Sequence, residues 1–234
     1  MDCRTWSLLI SISRLGLLLL LLTNTAGAQQ PEQTTRQFWP EIDVYLPINE
    51  KFRAFLTGRV RAGINNDERP IWQIGAHLDY FWKKRWTLRA GYRYSFPSRD
   101  QSSEKRILTE ETFSQPFANR FVLHNRMRQE FRWLNNNDFS MRFRNRVMLQ
   151  RDFTLSKRTL SPYGNAEIMY DTRFNTFNRY RLAVGTQILL RKRESFLLNL
   201  RRQKVFDLYY LWQGDSRSQP KHVQAIGVTV GLHF

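Results

Sequence analysis

Residues 119–152 read NRFVLHNRMRQEFRWLNNNDFSMRFRNRVMLQRD, and their alternation decides the fold. In the first half Phe121, Leu123, Met127, Phe131 and Trp133 alternate with Val122, His124, Arg126, Arg128, Glu130 and Arg132. Period-two alternation puts one set on each face of a strand. Asn135-Asn136-Asn137 then supplies a tight polar turn, better explained by turn conformation than by calcium binding. After it Phe139, Met141, Phe143, Val147 and Leu149 alternate with Arg142, Arg144, Arg146, Gln150 and Asp152. Each arm of this hairpin runs about 15 residues, far beyond the usual 5–6 of a globular strand. Such length suits the wall of a membrane-spanning barrel, with the apolar face toward lipid and the arginine face toward the lumen.

The amino-terminal residues bear on the compartment. Arg4 and Arg14 precede the apolar run Leu17–Leu22, and Ala26-Gly27-Ala28 forms a small-residue cleavage site before Gln29. Residues 1–28 are therefore expected to be a secretory signal peptide, cleaved at about Ala28. The single cysteine, Cys3, leaves with it, so no disulfide or thiol chemistry is expected of the mature chain. The whole chain carries 37 Lys+Arg against 20 Asp+Glu, and loss of the signal removes only Arg4, Arg14 and Asp2. An exported basic chain meets little nucleic acid, so outer-membrane lipid and small anionic solutes are the expected partners and nucleic acid is not. Beyond the signal there is no apolar run of about 18 residues, which leaves strands as the way to span. A mean hydropathy of −0.55 fits, because a barrel hides its apolar residues at alternate positions.

Working outward, residues 29–37 form a polar, mobile lead-in and 38–234 the barrel domain. Strands are expected at Phe38–Leu46, Lys51–Gly63, Pro70–Trp82, Trp86–Phe96, Glu104–Ser114, Tyr163–Tyr170, Phe177–Leu190 and Phe196–Leu211, besides the central hairpin. Asn65-Asn66-Asp67, Pro97–Ser103, Arg191–Glu194 and Gly214–Lys221 read as turns or loops. In the last segment Ile226, Val228, Val230, Leu232 and Phe234 alternate with Ala225, Gly227, Thr229, Gly231 and His233. It is similar to the closing strand that outer-membrane barrels present to their insertion machinery, with Phe234 as the insertion signal. The count comes to about eleven. Single-chain bacterial barrels normally have an even number, so the expected architecture is an all-β, closed, antiparallel up-and-down transmembrane β-barrel of 12 strands, with 10 as the alternative. Counting back from a periplasmic carboxyl end leaves the first strand starting outside, an awkward parity.

Trp39-Pro40-Glu41, Gly91-Tyr92-Arg93-Tyr94, Arg126-Met127-Arg128-Gln129-Glu130-Phe131-Arg132, Arg142-Phe143-Arg144 and Glu167 resemble an uncharacterised family of outer-membrane β-barrels, domain of unknown function 2490. The resemblance spans essentially the whole mature chain. It implies an outer-membrane barrel in a Gram-negative bacterium and supplies no substrate, cofactor or catalytic residue. At Thr57-Gly58-Arg59 the chain departs from the family, where an acidic residue would precede the arginine, and the ion pair on that strand is then in question.

The lumen set is Arg53, Arg59, Arg61, Arg89, Arg93, Arg106, Arg126, Arg128, Arg132, Arg142, Arg144 and Arg146, against Asp79, Glu110, Glu130, Asp152 and Glu167. Two readings compete. In one, arginine forks and carboxylates bridge neighbouring strands and fill a narrow lumen. In the other, the excess arginines set an anion-attracting field along a pore. An outer-membrane hydrolase is a third class, but His77, His124, His222 and His233 lack an accompanying nucleophile motif, and His77 with Asp79 reads as an ordinary polar pair. No metal-ligand cluster or phosphate loop is present in the sequence, so no cofactor is expected. A soluble periplasmic β-protein holding an anionic ligand is the remaining alternative, and it has no helix to cover Trp72, Trp82, Tyr92 and Phe143.

Overall fold

The computed structural model describes residues 34–64, 70–96, 103–134, 138–155, 158–194, 201–217 and 220–234. They form twelve strands: β1 (Thr34–Pro47), β2 (Phe52–Gly63), β3 (Ile71–Lys83), β4 (Trp86–Phe96), β5 (Glu104–Pro116), β6 (Phe121–Leu134), β7 (Asp138–Arg151), β8 (Phe153–Leu155), β9 (Arg158–Asp171), β10 (Thr176–Glu194), β11 (Arg201–Asp215) and β12 (His222–His233). The central hairpin is β6 and β7, paired in register from Phe121↔Arg151 to Leu134↔Asp138. The tripeptide 135–137, like Asn65-Asn66-Asp67, lies outside the described residues.

Twelve strands are present, but eleven close the ring. The order runs β12-β1-β2-β3-β4-β5-β6-β7-β9-β10-β11 and back to β12, while the three-residue β8 pairs only with β9. An odd ring of sequential strands must contain one parallel contact, and here β1 runs parallel to β12 from Thr34↔His222 to Tyr45↔His233. This corrects the expectation of antiparallel pairing throughout and removes the parity problem. β1 is part of the wall, and it begins at the same end of the barrel as β12. Odd-numbered membrane barrels are rare but known. The seam is also tied at its far end, where the Phe234 N–H donates to the Tyr45 carbonyl at 3.1 Å and the His233 ring stacks on Tyr45 with centroids 4.2 Å apart.

The seam also corrects the lead-in. Thr34–Gln37, expected to be mobile, pair with His222–Ala225 and belong to the strand, because a partner edge exists there that a sequence reading does not see. Similarly, the basic run Arg191–Glu194 is not a turn. It continues β10 beyond a register shift and pairs Arg193 with Arg202 and Glu194 with Arg201. Loss of apolar alternation ends the apolar belt, not the hydrogen-bond ladder. Gly214 likewise stays inside β11, where the Tyr180 ring lies over it and leaves no room for a side chain.

Inside and outside separate by parity. Phe38, Ile42, Leu56, Trp72, Ile74, Leu78, Tyr92, Ile107, Met127, Phe143, Val147, Ile168, Leu182, Val184, Leu208 and Ile226 are exposed on the outer surface. The inward set is polar and buried, including Gln73, His77, Asp79, Arg93, Arg106, Glu110, Arg128, Glu130, Arg132, Arg142 and Glu167. The outer belt is interrupted at Glu111, which sits one rung from the Trp86–Phe113 aromatic pair and can carry its carboxylate toward that end.

Gly91 is one of the inward positions that have no room for a side chain. A Cβ on Gly91 would run into the His77 ring and lie 2.7 Å from the Ala76 carbonyl oxygen. Overpacking of this kind costs about 1–3 kcal/mol. We expect Gly91→Ala to lower the unfolding free energy by roughly that amount in urea titration of the detergent-folded protein. An unchanged midpoint would contradict the packing described here.

Candidate functional site

The strand register brings the lumen arginines together in like-charged rows. Arg106 faces Arg132, Arg128 faces Arg144, and Arg126 faces Arg146 across neighbouring strands. Like charges directly opposite destabilise a sheet unless a carboxylate intervenes. Here carboxylates stand opposite or diagonal to the arginines, and each serves several of them. Glu130 Oε1 accepts from Arg144 at 2.7 Å and Arg106 at 3.2 Å, with Arg128 at 3.7 Å. Glu167 accepts from Arg126 at 2.7 Å and Arg144 at 2.8 Å. Glu110 accepts from Arg128 at 2.5 Å, with Arg126 at 3.6 Å and Arg89 at 4.0 Å.

The network continues in both directions. Asp79, fully buried, holds Arg53 at 2.6 Å and Arg89 at 2.5 Å. At the other end Glu104 takes Arg106 and Arg132, and Asp171 takes Arg132 at 2.9 Å and Arg142 at 2.7 Å. A continuous arginine–carboxylate ladder thus runs from β2 to β9. The question at Thr57-Gly58-Arg59 is also answered. Arg59 pairs with Glu41 of β1, and the Thr57 hydroxyl donates to the same carboxylate at 3.0 Å.

Of the expected lumen residues, Arg61, Arg93 and Arg146 stand apart. Arg61 lies over the Trp39 ring at 4.5 Å. Arg93 and Arg146 have a buried Nε without a hydrogen-bond partner, and among the described residues neither guanidinium forms an ion pair. The register explains why. The cross-strand neighbours of Arg93 are Gly75 and Arg106, neither an acceptor. Arg146 faces Glu167, but that carboxylate is already turned to Arg126 and Arg144. Both arginines line a cavity of about 350 Å³ in the lumen, together with Glu41, Asp43, Tyr45, Arg126, Glu167 and Asp207. That volume lies at the small end of the range of small-molecule sites.

Other expected pairings differ. Asp152 takes part in no arginine bridge and accepts from Gln150 at 2.9 Å and Ser161 at 2.7 Å. His77 and Asp79 share a face without touching chemically, since Asp79 is held by Arg53 and Arg89 and both His77 nitrogens lack a partner. The carboxylates of Glu41, Glu104 and Asp171 were not among the expected lumen groups. Glu41 was readable from its alternation with Trp39 and Tyr45. Glu104 and Asp171 are terminal strand residues, which alternation alone does not distinguish from loop.

Removing one shared carboxylate tests the ladder. Breaking a buried pair leaves an uncompensated charge and costs about 3–5 kcal/mol. Glu130→Gln is expected to destabilise the folded protein by that order in a denaturant titration, while Glu111→Gln on the outer face stays within about 0.5 kcal/mol. Equal effects of the two would contradict a lumen held by shared carboxylates.

Comparison with known proteins adds one match. The model of a family described as "Protein of unknown function (DUF2490)" matches residues 36–222, from β1 to the start of β12. No curated protein and no solved structure matches the chain.

Proposed function

The chain belongs to this family of unknown function, and from that premise we propose that it is an outer-membrane barrel of a Gram-negative bacterium whose lumen admits small anionic solutes at Arg93 and Arg146. The observation that carries the reading is the pair of uncommitted guanidiniums beside the cavity, in a lumen where nearly every other arginine is bonded to a carboxylate. A buried cation without a partner is costly unless something compensates it. A solute anion would do so, and bidentate arginine contacts suit carboxylate, sulfonate or phosphate oxygens.

The outer surface supports the membrane setting. Its middle is largely aliphatic, with Leu78, Ile107, Val147, Val184 and Leu208 exposed beside Tyr92 and Tyr210. Aromatic side chains gather at the two ends: Trp82 with Trp86 and Phe113 at one, Trp133 with Phe139 and Tyr170 with Phe177 at the other. Apolar belts flanked by aromatic girdles are the outward pattern of transmembrane barrels. A soluble protein exposing an apolar surface of this extent would be an aggregation hazard. Closure removes free strand edges, which lipid cannot satisfy.

The experiment has two stages. The expressed protein is expected in the outer-membrane fraction as a compact band that shifts on heating. In planar bilayers under a potassium chloride gradient it is expected to pass chloride over potassium, and Arg93→Gln/Arg146→Gln should reduce that preference several-fold. A soluble, heat-insensitive periplasmic protein would refute the membrane reading, and a barrel without anion preference would refute the lumen reading.

A further inference from the structure

The uncommitted charges in the lumen are of both signs. Besides Arg93 and Arg146, the cavity is lined by Asp43 and Asp207, and neither carboxylate has an arginine within ion-pair distance among the described residues. Asp43 accepts only a long contact from Tyr45 at 3.4 Å, and its other oxygen is buried without a partner. Asp207 accepts from Tyr163 at 2.9 Å and Gln187 at 3.4 Å. Again the register is the reason: Asp43 faces Thr57 and Gly231, with the nearby Arg59 already bonded to Glu41, and Asp207 faces Thr229 and Gln187, so no arginine stands directly opposite either carboxylate.

Their placement around the ring is not random. Counting from β12, both directions reach β5 and β6 after five steps, so these two strands stand across the lumen from β12. Asp43 on β1 and Asp207 on β11 flank β12. Arg93 on β4 and Arg146 on β7 flank the β5–β6 pair. Between the two aspartates, β12 turns Gly227, Thr229 and Gly231 inward, and the Tyr209 ring of β11 lies over Gly227. The free carboxylates and free guanidiniums therefore line opposite walls of one cavity.

Resting on the anion reading above, we infer that the lumen selects dipolar solutes, small molecules with an anionic group for Arg93 and Arg146 and an ammonium group for Asp43 and Asp207. A simple anion compensates one wall and leaves the other bare, whereas a zwitterion compensates both. Opposed charges also create a field across the pore axis that aligns a dipolar solute and gives nothing extra to a monovalent ion.

The test compares taurine with propane-1-sulfonate, which match in size and sulfonate but differ in the ammonium group. Block of single-barrel current by each is measured at constant ionic strength with the full-length protein, alongside chloride preference in the same membrane. Taurine is expected to block at concentrations at least tenfold lower than propane-1-sulfonate. In Asp43→Asn/Asp207→Asn that advantage should vanish while chloride preference persists, which also shows that the variant has assembled. Equal or stronger block by propane-1-sulfonate in the wild type, with chloride preference intact, overturns the dipolar inference and leaves the anion reading standing. Absence of chloride preference overturns the anion reading and the inference with it.

Discussion

The interaction on which this barrel depends is the sharing of single carboxylates among several arginines inside the lumen. Glu130, Glu167, Glu110 and Asp171 each sit between guanidiniums that the strand register would otherwise set against one another. Placed in a wall whose outer face is apolar, this ladder supplies the cross-strand cohesion that a packed hydrophobic core gives a soluble protein. A small apolar cluster of Trp39, Ala183, Leu211, Val223 and Ala225 contributes near the seam, but the inward face is overwhelmingly polar. Fixed, bidentate and buried, such pairs specify register strongly, because a one-residue slip would turn the whole charged set outward.

The same logic explains what is left over. Carboxylate sharing requires an acid opposite or diagonal to the arginine that is still unengaged, and around Arg93 and Arg146 the neighbours are glycine, arginine or an acid already engaged. Opposite Asp43 and Asp207 no arginine stands, and the Arg59 near Asp43 is held by Glu41. The leftover charges therefore arise from the ladder's own geometry, and they collect on opposite walls of the cavity. A ring of eleven strands closed by a parallel seam puts β12 across from β5 and β6.

Much of this was legible in the amino-acid sequence, and the limits are physical. Alternation in Phe121–Asp152 identified the strands, the faces and the inward arginines, because side-chain parity is a local property. Alternation could not reveal the partner of Arg59, since Glu41 lies on a different strand whose register is set by the seam. Nor could it separate Arg144, which is bonded, from Arg146, which is not: both occupy equivalent positions two residues apart, and they differ only because Glu167, opposite Arg146, turns to Arg126 and Arg144. The expected twelve strands are present, but that only eleven of them close the ring was not readable for a similar reason. Whether the first and last strands meet parallel or antiparallel is decided by closure of the whole ring, and Thr34–Gln37 look like a polar tail until β12 is beside them.

The most direct measurement is the anomalous scattering of crystals of the full-length protein grown with selenate, a tetrahedral oxyanion that arginine binds as it does sulfate or phosphate. A selenium peak in the lumen within hydrogen-bonding distance of the Arg93 or Arg146 guanidinium, with the Glu130 and Glu167 pairings undisturbed, is the predicted result. A lumen with no anion, in which Arg93 and Arg146 instead reach carboxylates of the ladder, would contradict it.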